Sequence, residues 1–169
     1  GDSWVVGGDV LISAGKMGLS SPATGDLTFG SLTIASGAFF RATSGTTTLA
    51  GDLQNNGTYT HNDGTFTNNT SGINITSETV FYILNALNRT LISVDTTVEH
   101  SITGSGQIRL NGLTSAGGMT LTMGTSTVAG SITTGFFGMW NANCTAKIYA
   151  ANELKPWTIA ADWQFGVAA

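Results

Sequence analysis

The spacing of the glycines constrains this chain more than any other feature. From Asp26 to Gly72 they stand at positions 30, 37, 45, 51, 57, 64 and 72, at intervals of 7, 8, 6, 6, 7 and 8 residues, so every third one falls about 20 residues on. Between them lie short segments such as Leu27-Thr28-Phe29-Gly30, Ser31-Leu32-Thr33-Ile34 and Thr46-Thr47-Thr48-Leu49-Ala50-Gly51. Apolar and polar residues alternate in each, as in a strand with one buried and one solvated face. Amphipathic helical spacing rarely persists, and β-branched residues recur with glycine, so the chain reads as all-β.

Two β architectures use turns of this kind. Strands of a hairpin sandwich need turn signals roughly every 8–12 residues. A three-sided parallel β-helix (β-solenoid) turns a corner after each short strand, and one coil then takes roughly 20 residues. The observed spacing favours the solenoid. Asn56-Gly57 and Asp63-Gly64 are also strong hairpin signals and keep an antiparallel β-sandwich as the alternative. At these corners glycine and asparagine are expected because they accept positive φ at low cost.

The pattern is clearest from Asp52 to Gly72, where three near-copies each carry one large apolar residue, Leu53, Tyr59 and Phe66. These are expected to face inward and their threonine neighbours outward. Longer apolar runs follow at Ile73-Asn74-Ile75, Val80-Phe81-Tyr82-Ile83-Leu84, Leu91-Ile92-Ser93-Val94 and Thr97 to Ile102, and are the candidates for buried central strands. The short-strand style resumes at Gly104–Gly112 and Met119–Gly130. The expected organisation is an N-terminal strand and loop over 1–25, with Trp4 to Ser13 as a strand pair or first coil, and a solenoid over 26–134. An aromatic segment over 135–169 completes it. That last segment holds Trp140, Trp157 and Trp163 with Phe136, Phe137 and Phe165. These six residues are the candidate interface, serving as a cap on the open end of the solenoid, a contact with a neighbouring subunit, or both.

Charged residues make up 9% of the chain, against about 25% in ordinary soluble domains. With 41% hydrophobic residues the chain is nevertheless expected to fold. The net charge is −4 and the six Lys and Arg are scattered, which offers no footprint for nucleic acid. Cys144 stands alone, so neither an intrachain disulfide nor a cysteine-based zinc site is expected. The apolar run Val80–Leu84 is far short of the ~20 residues of a spanning helix, so no membrane insertion is expected.

No nucleophile elbow, phosphate-binding loop or zinc-protease motif occurs. His100 shares parity with Val98 and Ile102, as a core histidine would, with Glu99 on the opposite side, while His61 falls in a corner or faces solvent. Asp52 with Asp63, or Glu78 with Asp95 and Glu99, are the pairings that could serve as glycosidase-type carboxylates. Ten acidic residues along one chain bring some together by chance, so no catalytic residue, metal ligand or cofactor is assigned. Rows such as Thr46-Thr47-Thr48, Thr120/Thr122 and Thr125/Thr127 read as exposed strand formers, with a flat hydroxyl array as the sharper reading.

The strings Ser31-Leu32-Thr33-Ile34-Ala35-Ser36-Gly37, Asn55 to Phe66 and Val80-Phe81-Tyr82-Ile83-Leu84 resemble repeats of bacteriophage structural proteins, especially of marine phages, and of some bacterial surface proteins. The likeness covers roughly Gly25 to Thr134. It implies a non-enzymatic virion component, a tail fibre or capsid decoration, often trimeric, that contacts other virion proteins and can contact a host-surface glycan. The resemblance also leaves open a bacterial surface adhesin segment that binds glycan, and more remotely a polysaccharide depolymerase.

Overall fold

A computed structural model of the protein describes residues 3–18, 23–69, 72–111, 119–125, 127–139, 144–149, 157–160 and 164–166. The strands follow one another as coils. The first is β1 (Trp4–Val5), β2 (Val10–Ile12) and β3 (Lys16–Met17), and the second β4 (Leu27–Phe29), β5 (Leu32–Ile34) and β6 (Phe39–Arg41). The third is β7 (Thr46–Leu49), β8 (Leu53–Asn55) and β9 (Thr58–Thr60). Then come β10 (Thr65–Asn68), β11 (Ile73–Ile75), β12 (Thr79–Ala86), β13 (Arg89–Ile92), β14 (Thr96–Thr103) and β15 (Gln107–Leu110). The chain closes with β16 (Met119–Met123), β17 (Ser131–Ile132), β18 (Phe136–Met139), β19 (Cys144–Ile148), β20 (Trp157–Ala160) and β21 (Gln164–Gly166).

From β1 to β19 each strand pairs in parallel with its counterpart one coil away, as in Leu32↔Leu53 and Thr46↔Thr65↔Ile83. Neighbouring segments run in the same direction, which makes the fold a parallel β-solenoid and excludes the sandwich. One wall stacks β2, β5, β8, β11, β13, β15 and β18; a second begins with β1, β4, β7 and β10; the third begins with β3, β6 and β9.

From β12 onward the corner between the third and first walls is relaxed, and β12 and β14 run through it as eight-residue strands. The second half of β12 continues the first wall through Thr65↔Ile83, and its first half pairs on through Thr79↔Thr96. The three-stranded sheet stops at β9, so hydrogen bonding on the third wall is interrupted between β9 and β12.

Inward residues form one continuous core. Leu53 and Phe66 are both buried as expected, and half-buried Tyr59 packs against them. An aromatic file runs along the axis, from Phe29 to Phe40 (6.1 Å), Tyr59 (5.7 Å) and Phe81 (5.8 Å), with Phe66 joining Phe81 at 4.8 Å. These separations lie within the attractive range for ring pairs. The apolar runs after residue 72 also contribute their inward residues, but Val80 points out and is 41% exposed, so those strands are buried on one face only.

At Gly57 and Gly64 glycine has a different cause from the one expected. Neither Gly57 nor Gly64 takes positive φ; beside Gly64 it is Asn62 (φ 50°) and Asp63 (φ 59°) that do. Gly64 is required because a side chain would meet backbone oxygens of the preceding coil, Thr43 O and Gly45 O.

Aspartates supply a second periodic device. Asp9, Asp26, Asp52 and Asp95 each stand just before a strand, and each accepts through Oδ1 a backbone N–H one coil on: Ser31 (2.8 Å), Thr46 (2.8 Å), Asn74 (2.9 Å) and Thr120 (2.7 Å). Hydrogen bonds to a carboxylate are stronger than those between neutral groups. Replacing Asp52 or Asp26 with alanine is therefore expected to lower stability by about 1 kcal/mol each. Urea unfolding checks this, and unchanged midpoints for both would mean that water replaces the carboxylate without loss.

The parallel ladders extend past both expected boundaries. β1 pairs with β4, making the N-terminal segment a first coil, and β18 and β19 pair in parallel with β15 and β16, carrying the solenoid beyond residue 134. Then the direction reverses. β20 pairs antiparallel with β19, and β21 antiparallel with β18, against the edges of the last coil. Antiparallel strands laid there occupy the open edges and end the parallel stacking.

Candidate functional site

The interruption of the third wall opens a cleft of about 460 Å³. Asn55, Gly57, Thr58 and Tyr59 form one side of it; Glu78, Thr79, Val80, Asp95, Thr97, Thr122 and Lys147 line the other. Outward residues of four successive strands stand in register along this second side: Val80↔Thr97, Thr97↔Thr122 and Thr122↔Lys147. With strands spaced about 4.8 Å apart, the row follows the solenoid axis for roughly 14 Å.

The backbone contributes as well. Thr58 donates its N–H to Ala38 O, and Thr60 O accepts from Ala42, so both residues spend their main-chain groups on β6. Alternation along a parallel strand then directs the N–H and C=O of Tyr59 the other way, toward the cleft. Burial pushes the Tyr59 phenol above its ordinary range, so it remains a neutral hydroxyl.

Asn55 stands at the inner end of the cleft and is 8% exposed. Its Nδ2 donates to Glu78 O (3.1 Å) and Thr79 Oγ1 (3.3 Å), while its Oδ1, fully buried, has no partner among the described residues. Asn68 shows what a fully used amide looks like here. Its Nδ2 donates to Arg89 O and Thr90 Oγ1, and its Oδ1 accepts from the Asn88 N–H.

The cleft brings together some of the residues singled out in the sequence and separates others. Glu78 and Asp95 both line it, along with Thr120 and Thr122. Glu99 lies elsewhere, at the relaxed corner, where its Oε2 is 3.2 Å from His61 Nε2. Asp52 is bound to Asn74 and does not meet Asp63, whose exposed carboxylate lies 3.7 Å from His61 Nδ1. Because the Asp63 N–H donates to His61 Nδ1 at 3.0 Å, that nitrogen carries the lone pair in the neutral ring. The proton then sits on Nε2, where it can be donated to Glu99.

His100 is exposed rather than buried in the core. The register of β12 against β14 shifts between Phe81↔Val98 and Ile83↔Ser101, so Glu99 and His100 together oppose Tyr82. Such a bulge breaks the alternation on which the inward expectation rested. His61, Tyr82 and His100 form a file on the outside of this corner, with ring separations of 5.8 and 5.2 Å.

Of the six aromatic interface candidates, Phe137 points into the core opposite Ile108 and is buried, so it offers no contact surface. Phe136 lies on the outer face of β18, yet is only 6% exposed, with the Arg109 guanidinium 5.9 Å from its ring centre. Trp157 and Phe165 belong to the main chain of β20 and β21, while Trp140 and Trp163 lie outside the described residues. Among the described residues no group of three or more His, Cys, Asp or Glu could hold a metal ion, and no helix is long and apolar enough to cross a membrane. No family model, curated protein or solved structure matches the chain.

Sequence reasoning missed the aspartate brackets, Asn55 and Lys147. The brackets have a signal that could have found them: an aspartate preceding a strand, with a strand start some 20 to 25 residues on. Asn55 and Lys147 have none, since nothing local marks where a ladder will be interrupted.

Proposed function

We propose that the protein is a structural module of a virion exterior, a tail-fibre or capsid-decoration element, that serves as a stiff spacer and acts through assembly contacts. The observation that carries this reading is the wall of seven parallel strands from β2 to β18. Its backbone hydrogen bonds lie along the axis, so bending or extending the rod strains many of them at once. Rigidity of this kind needs neither disulfides nor ion pairs, in keeping with the 9% charge content.

The first coil supports the assembly role. Trp4, Val5 and Leu11 of that coil are 42%, 75% and 67% exposed. Docking onto a neighbouring subunit, in a homo-oligomer for which the repeat style suggests a trimer, would cover them. The resemblance of the repeats supports a virion as the location, with a bacterial surface adhesin as the second reading.

Peptide mass spectrometry of purified particles tests the assignment. The chain is expected at a fixed ratio to the other particle proteins through successive gradients; recovery from the bacterial envelope instead, with none in particles, would transfer it to the cell surface.

A further inference from the structure

We propose that the cleft between β9 and β12 binds a short, linear, neutral saccharide laid along the solenoid axis. The proposal is independent of whether the chain belongs to a virion or to a cell surface, because it rests on the cleft alone.

Three observations point to this ligand chemistry. The volume of about 460 Å³ lies within the range of roughly 300–1,000 Å³ typical of sites that hold small molecules, far beyond what a bare ion needs. Unspent hydrogen-bonding capacity converges there: the Tyr59 main-chain N–H and C=O and the hydroxyls of Thr97 and Thr122. A ligand rich in hydroxyls, each both donor and acceptor, matches such a mixed set. Exposed Val80 adds an apolar surface in the same row, suited to the C–H face of a sugar ring.

Charge narrows the class further. Glu78 and Asp95 against Lys147 give the cleft a net charge of −1, which disfavours phosphorylated or sulfated chains. Asp95 is already held through Oδ1 by the Thr120 N–H, so its role is to accept from ligand hydroxyls through its other oxygen. The axial row repeats at the strand spacing, close to the length of one pyranose unit, so consecutive rings meet consecutive rows. Hydroxyl recognition of this type is lost when the partner hydroxyl is removed, because ligand groups desolvated in the cleft are then left unpaired.

The test is a printed array of neutral and anionic glycans, followed by titration of the best binder as a free hexasaccharide into the full chain. Native protein is expected to retain neutral linear glycans. The double variant Thr97→Val and Thr122→Val keeps side-chain shape and is expected to bind at least about tenfold more weakly, with the same melting temperature. Glu78→Gln, a change outside the core, should also weaken binding, whereas Thr33→Val on the outer face of β5 should leave it unchanged. Retention of no glycan at all, equal binding by the double variant, or preference for sulfated chains would overturn the proposal. So would saturable uptake of calcium in place of sugar, or release of reducing ends, which would make the cleft an ion site or a catalytic one.

Discussion

A Phe81→Ala variant is expected to unfold about 3–5 kcal/mol more easily than the native chain, the range for deleting a buried phenylalanine. Phe81 is fully buried and is the ring at which two files meet, 5.8 Å from Tyr59 and 4.8 Å from Phe66. Collapse of neighbours into the space is resisted because each adjoining residue is held by its own coil. Against a typical total of about 5–15 kcal/mol the loss is a large fraction. Equilibrium urea unfolding measures it, with Phe39→Ala as the comparison: Phe39 is on the outer face of β6, with Lys16 Nζ 5.9 Å from its ring centre, and its removal should cost far less. Equal losses at the two positions would mean that inside and outside are wrongly assigned along this wall.

The second large effect is expected at Gly64. A Cβ there would press on Thr43 O, lie 2.7 Å from Gly45 O and 3.2 Å from His61 O, and all three are backbone atoms. No side chain can swing away, so β10 must move off β7, weakening a ladder that includes the bond from Thr65 N–H to Gly45 O (2.9 Å). Gly64→Ala should destabilise by about 3 kcal/mol or more, at the upper end for overpacking. Gly37 provides the contrast. Its φ is +76° but no atom of the described residues lies within 4 Å of a Cβ, so alanine there meets only the left-handed backbone cost of about 1–2 kcal/mol. If Gly37→Ala proves the more damaging of the two, conformational freedom rather than close approach governs the corners.

These two predictions also mark how far the sequence could be read. Inward positions such as Leu53 and Phe66 were legible because alternation is a local property, repeated in every short strand. Glycine spacing was legible for the same reason, but its cause was not. A requirement for positive φ acts within one residue, whereas the clash at Gly64 involves oxygens about twenty residues back in the chain.

His100 shows the limit from another side. Its parity with Val98 and Ile102 is real, and one extra residue opposite Tyr82 is enough to turn the imidazole outward. The aromatic end divides similarly: Phe137 joins the core because β18 continues the ladder, which the clustering of aromatic residues there did not indicate.

The coil length, the all-β character and the inward file followed from the chain's own short-range pattern, since each depends on residues within a few positions of one another. The tertiary structure decided where the third wall loses its ladder, which carboxylates bracket strands and which line the cleft, and how Asn55, Val80, Thr97, Thr122 and Lys147 come to one surface. Those outcomes depend on the register between coils, where a shift of a single residue exchanges the two faces of a strand.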